Sequence, residues 1–129
     1  MNAMSAIKQY QQVSVSSSAM GASPHRLIQM LMEGALERIA LAKKNMARNE
    51  IAMKGQNISR VLHIVGGLQG ALNIEAGGEI AENLNHLYDY MASRLLIANS
   101  QNDEHILDEV SGLMMEIKSG WDAMPDIYK

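Results

Sequence analysis

The 129-residue chain has no cysteine and no phenylalanine, one tryptophan, and only two prolines. Without cysteine it can form neither disulfides nor thiolate metal ligands, which fits a reducing compartment. Four Tyr and one Trp are its whole aromatic content, so its core has to be built from aliphatic side chains and Met. A basic excess is also missing: 11 Lys and Arg stand against 14 Asp and Glu, a net charge of −3. That argues against a nucleic-acid binder, which usually carries a basic stripe. No apolar run approaches the ~20 residues of a membrane span, and no N-terminal segment resembles a signal peptide. The expectation is a soluble, cytoplasmic protein without membrane insertion.

What the chain does have is 47% hydrophobic residues, eleven Met among them. This is ample for the core of one domain of this length, and a Met-rich, proline-poor composition suits helices. Residues 1–22 read as a polar, serine-bearing arm. Ser14 to Ser18 make a linker-like stretch, and Met4, Ile7 and Tyr10 share one side of a short extra helix before it. Residues 23–129 read as the folded domain.

Four helices are expected in that domain. Ser23-Pro24 supplies an N-cap and a first-turn proline for a helix reaching about Arg48. Its main stripe is Ile28, Leu31, Ala35, Ile39, Ala42 and Met46. Lys43, Lys44 and Arg48 complement its C-terminal dipole. Asn49 marks a break. A second helix runs from about Glu50 to Ala76, with Ile51, Ile58, Val61, Leu62, Val65, Leu68 and Leu72 on its face. Its internal Gly66, Gly67 and Gly70 suggest close approach by another backbone. The Gly77-Gly78 pair then turns the chain into a third helix reaching about Asn99. Ile80, Leu84, Leu87, Met91, Leu95 and Ala98 share its face at ~100° per residue. After a short polar link, Asn102 or Asp103 caps a fourth helix that Pro125 ends. Its stripe is Ile106, Val110, Leu113, Ile117, Trp121 and Met124, with Trp121 plugging one end of the core. Long helices with short links make an all-α, antiparallel four-helix bundle.

The pattern offers no reaction centre. A carboxylate-bridged di-metal site in a bundle needs Glu-x-x-His pairs, and none of the nine Glu is followed by His three residues later. His25, His63, His86 and His105 share no spacing. GGLQG lacks the strand before it and the Lys-Ser/Thr after it that a phosphate loop requires. Neither an enzyme nor a cofactor is expected.

The informative feature is an apolar excess outside the main stripes. Leu27, Met30, Gly34 and Leu41 form a second line on the first helix. Ile64 and Ala71 widen the second helix's face. Tyr90 and Ile97 lie on one flank of the third, with Tyr88 on the other shoulder. These residues either widen the core, bury one another in a homodimer, or line a groove for a partner, where flexible Met accepts varied side chains. Periodicity alone does not choose.

The stretch GGEIAENLNHLYDYMASRLLIAN (Gly77 to Asn99) resembles the third helix of the FliS-type flagellar export chaperones. ASPHRLIQMLMEGAL (Ala22 to Leu36) resembles their first helix. Tyr10 matches a recurrent Tyr of their N-terminal arm, and the acidic Asp103-Glu104 start and Trp121 match their tail. The resemblance runs through nearly the whole chain in order. It implies a non-enzymatic bundle that binds the disordered C-terminal segment of flagellin in the cytosol, prevents its premature polymerisation and presents it to the flagellar type III export gate. Some members bind other flagellar regulators. On this reading Ile7, Tyr10, Leu27, Met30, Leu41, Ile64, Ala71, Tyr88, Tyr90 and Ile97 are the candidate groove and cap residues, with Ile7 and Tyr10 docking in the free groove and moving when flagellin arrives. The alternative is a helical adaptor for a different secreted or regulatory client. One departure stands out: the family's LYEGAL-like block reads LMEGAL here, so Met32 replaces a Tyr and its hydroxyl.

Overall fold

The computed structural model describes residues 21–124. Four helices make up this region: α1 (Pro24–Ala47), α2 (Ile51–Gly70), α3 (Ile74–Gln101) and α4 (Glu104–Asp122). Each packs on its neighbours in the chain, and α4 closes the ring against α1. Cross-links fix the directions. Gln29 near the start of α1 reaches Asp122 at the end of α4, while Lys54 at the start of α2 reaches Asn99 and Asn102 at the end of α3. The result is the expected antiparallel four-helix bundle.

The boundaries follow from local chemistry. The Ser23 hydroxyl accepts from the Arg26 amide at 3.2 Å, and Pro24 occupies the first turn, where its missing N–H costs nothing. Asn49 takes a left-handed conformation, φ 57°, in the turn that follows α1. Asn102, φ 54°, does the same after α3, and the Asp103 carboxylate caps α4 through the His105 amide. Asn tolerates this region better than other residues with a Cβ.

One boundary differs from the sequence reading. The second helix ends at Gly70, not Ala76. The apolar rhythm persists through Ala71 and Leu72, but the Asn73 side chain accepts from the Ala76 amide and starts a new turn. That turn is interrupted at Gly78, with φ 56° and ψ −132°, before the long part of α3 begins. Side chains with a Cβ are excluded from that conformation, so Gly78 alone permits the reorientation. Gly78→Ala should lower unfolding stability by about 1–3 kcal/mol, measurable by chemical denaturation, even though a Cβ there would meet no neighbour within 4 Å. Gly66 is likewise open, with nothing within 4 Å of a Cβ, so it does not mark close helix packing as its position suggested.

The core is aliphatic. All six residues of the α1 stripe are buried, and they meet Ile58, Val61, Val65 and Leu68 of α2 and Met91, Leu95 and Ala98 of α3. Ile64 is only 2% exposed and belongs to this core, not to an outer patch. Ile51, assigned to the inner face, is instead 65% exposed at the outset of α2. On α3 and α4 the expected Met91, Leu95, Ala98, Ile106 and Val110 are buried, but Ala81, Tyr88, Leu107 and Met114 join them inside, while Ile80, Leu84, Leu87, Leu113 and Ile117 are not fully buried. The buried positions 81, 88, 91, 95 and 98 share one face at helical spacing, and the shoulder residues Leu107 and Met114 widen the buried face of α4.

Polar groups inside the bundle are paired. Asn57 donates to Asn45 at 2.7 Å, and Asn45 donates to Glu50 at 3.1 Å, tying α1 to the start of α2. Lys54 is buried, and its Nζ donates at 3.0 Å to both the Asn99 carbonyl and the Asn102 side chain. The Asn99 carbonyl is one of the orphan acceptors at the C-terminus of α3, where the helix dipole is negative.

Candidate functional site

At the end of the bundle where α1 and α3 begin and α2 and α4 finish, the four helices do not close. Residues expected to complete the core remain open to solvent there. Ile80 is 73% exposed, Met124 is 41% exposed, and Leu84, Leu72, Ile117 and Trp121 are half-buried. They surround an apolar groove of about 680 Å³ whose floor includes Ile28, Met32 and Leu68. Among the described residues its lining carries one charge, Glu116. The volume is that of a site for a small ligand or a few partner side chains.

The walls are held in place by specific contacts. Trp121 stacks on His25, with ring centroids 4.9 Å apart, and its Nε1 donates to the His25 carbonyl at 3.0 Å. This pins the last turn of α4 to the first turn of α1 and satisfies the indole N–H, leaving its apolar surface on the groove. Trp121 is therefore a wall residue more than a core plug. His25 is buried by the stack. Gln29 and Lys118 both engage Asp122, which holds the Asp122 carboxyl below its usual range. The bundle end is thus fixed by polar contacts at its rim while its interior stays open.

Tyr88 sits at the inner wall, 2% exposed, and burial pushes its hydroxyl up to about 12. The sign follows from linkage. Below the ordinary tyrosine value, near 10, folded and unfolded chains hold the proton alike. As pH rises through the interval up to about 12, the unfolded chain gives it up first and the folded state loses stability. In a difference absorbance titration of the wild-type chain and Tyr88→Phe, the tyrosinate signal of this residue should have its midpoint near 12. A midpoint near 10 would mean the hydroxyl is solvated.

The residues singled out from sequence distribute unevenly. Ala71 and Tyr88 converge on the groove. Leu27, Ala71 and Ile97 are partly buried against the core. Met30 and Leu41 are half-buried along α1. Ile64 is inside. Tyr90 lies on the outer α3–α4 surface, where its hydroxyl donates to Glu109 at 2.6 Å beside the Arg94–Glu109 ion pair. Those two donors hold the Glu109 carboxyl below its usual range. Ile7 and Tyr10 lie outside the described residues. The residues missed are the groove's own: Met32, Ile80, Leu84, Ile117, Trp121 and Met124. All but Met32, which lies on neither line of the first helix, read as ordinary stripe positions, and periodicity carries no signal that a covering helix is missing there.

The lining is mostly apolar, and no group of three His, Cys, Asp or Glu suited to a metal is found among the described residues. The class is an all-α four-helix bundle with an open apolar end. No helix among the described residues is long and apolar enough to cross a membrane.

The comparisons with known proteins carry the assignment further. The family model described as flagellar protein FliS matches residues 6–127. The flagellar secretion chaperone FliSB of Pseudomonas aeruginosa is 54% identical over 124 residues, covering 96% of this chain and 98% of that protein. The flagellar secretion chaperone FliS of Vibrio cholerae is 43% identical over 95% of this chain and 90% of its own length. Its counterpart from Salmonella typhimurium is 46% identical over 91% and 87% respectively. The chain belongs to the FliS family, whose role as flagellar secretion chaperones is non-enzymatic.

Proposed function

We propose that this chain binds the disordered C-terminal segment of flagellin in the cytoplasm, that the segment folds into helix on the bundle, and that the apolar groove is its principal seat. What supports the reading is the open bundle end: Ile80 and Met124 are exposed, and Leu84 and Ile117 are only partly covered by the other described elements. A partner helix can supply the missing apolar layer by presenting side chains at i, i+3, i+4 and i+7. Each large aliphatic side chain that becomes fully covered contributes roughly 1.5–3 kcal/mol. Ordering the client costs about 2–5 kcal/mol of that, which keeps the complex specific and still releasable.

Sequestering the segment prevents premature polymerisation, and the complex is then presented to a component of the flagellar type III export gate. Another flagellar regulator is a further partner on this reading. Ile7 and Tyr10 act as a displaceable cap over the free groove. Deleting residues 1–18 is then expected to change flagellin affinity.

Calorimetric titration with a cognate flagellin C-terminal peptide, with circular dichroism of the mixture, tests the proposal. Saturable one-to-one binding with helix gained beyond the sum of the parts is the expected result. Binding without helix gain discards the folding mechanism. No binding to a bundle shown to be folded moves the assignment to an adaptor with a different client.

A further inference from the structure

Charge is divided between the two halves of the bundle. Residues 23–73, which contain α1 and α2, hold seven Lys and Arg against three Asp and Glu, a net of plus four. Residues 74–124, which contain α3 and α4, hold two against ten, a net of minus eight. The two halves occupy opposite sides of the ring, because α1 packs on α2 and α3 on α4. The overall charge of −3 conceals this separation. α2 itself carries no acidic residue along its whole length.

The basic side has a shaped concavity. A pocket of about 600 Å³ lies between α1 and α2, lined by Arg38, Arg60 and His63 together with Gln56, Asn57 and Ser59, and no carboxylate lines it. It lies along the middle and early part of α2, away from the residues that line the apolar groove. Arg38 is held in place. Its Nη1 donates at 3.1 Å to Asn57, which is 4% exposed and is fixed in turn by Asn45. A guanidinium anchored by a buried amide has already lost part of its rotamer freedom, so binding an anionic partner costs less. At the same pocket, Gly55 leaves the backbone open, with nothing within 4 Å of a Cβ, and Met53 is 49% exposed. The site therefore combines positive charge, donor groups and an adaptable apolar edge.

We infer that this α1–α2 pocket is a second docking site, separate from the apolar groove, for a carboxylate-rich segment of a protein partner. Charge complementarity selects the occupant, and the acidic opposite face repels it, so the segment approaches from one side. An extended acidic chain also makes use of the pocket's mixture of Arg, amide and hydroxyl groups, whose hydrogen-bonding geometry suits carboxylates.

The test is fluorescence anisotropy of the full chain with a short fluorescein-labelled peptide of alternating glutamate and alanine, at low ionic strength. The expected result is saturable binding that weakens steeply with added salt and by about tenfold in Arg38→Gln/Arg60→Gln. Because Arg38 belongs to a buried network, Ser59→Glu supplies an independent variant: Ser59 is exposed, and the added charge should weaken the peptide equally without unfolding the bundle. Ile80→Glu, in the groove, should leave this binding intact, which separates the inference from the flagellin reading. Absence of peptide binding overturns it. So does binding that neither variant changes, or a single-stranded RNA binding the same residues more tightly than the peptide. Salt-sensitive self-association of the chain through its own acidic face would also overturn it.

Discussion

Ile80→Glu should weaken binding of the flagellin C-terminal segment by at least about tenfold while leaving the melting temperature of the free chain unchanged. The two halves of this result come from one number. Ile80 is 73% exposed, so a glutamate there is solvated in the free protein and costs the fold little. In the complex the same position would lie beneath the client helix, where the wild-type side chain contributes roughly 1.5–3 kcal/mol and a carboxylate would have to be desolvated without a partner. Glu116, the charge already present on the lining, would add like-charge repulsion. Leu84→Glu should act in the same direction, but Leu84 is half-buried and part of its effect would appear as lost stability. Calorimetry gives the affinity and thermal unfolding gives the control. An unchanged affinity would remove Ile80 from the binding surface.

The second large effect concerns stability. Lys54→Ala should destabilise the chain by about 3 kcal/mol, a fall in melting temperature of roughly 10 °C. Lys54 reaches across from α2 to the end of α3, and its Nζ is the donor for both the Asn99 carbonyl and the Asn102 side chain. Removing it takes the donor from the half-buried Asn99 carbonyl, frees the exposed Asn102 side chain to water, and also removes a packed aliphatic stem. Lys54→Met separates the two contributions, because it keeps most of the stem; it should lose about 2 kcal/mol. Urea denaturation of both variants measures the difference. A loss within experimental error for Lys54→Met would show that water replaces the lysine at no cost. Client binding should be unaffected in either variant, since the site lies at the opposite end of α2 from the groove.

The sequence is most informative about local features and least about the bundle's closure. Ser23, Asn49 and Asp103 declare helix ends because capping is a chemistry of adjacent residues, and each performs the expected role. The α1 stripe is wholly buried because that helix packs on both α2 and α4, although Ile28 at its start forms part of the groove floor. The stripes on α3 and α4 are right in their middle and wrong at the groove end. Periodicity identifies which side chains share a face, but it does not say whether another helix lies opposite. Ile80, Ile117 and Met124 therefore look like core residues, although they mark the place where the core is incomplete. Tyr88 shows the converse. It lies three residues before Met91 and seven before Leu95, so the buried arc of α3 is wide enough to take it into the interior. Lys54 was invisible for a different reason: its acceptors lie more than forty residues further along the chain.

The groove also gives the Met32 departure a place. Met32 is 2% exposed on the groove floor, and no polar atom of the lining requires a hydroxyl from it among the described contacts. A flexible thioether at the base of a site that must accept a helix can adjust its rotamer to the incoming side chains.

The central claim is that the client seats in the apolar bundle end, and the methionines offer direct reporters of it. Methyl-labelled methionine NMR of the full chain, recorded with and without a saturating flagellin C-terminal peptide, compares Met32 and Met124 in the groove with Met53 and Met115, which are exposed elsewhere on the bundle. The account predicts large shifts of the Met32 and Met124 methyl resonances and unchanged Met53 and Met115 signals. Shifts confined to Met53 or Met115, with Met32 and Met124 unmoved, would place the client on another face and contradict it.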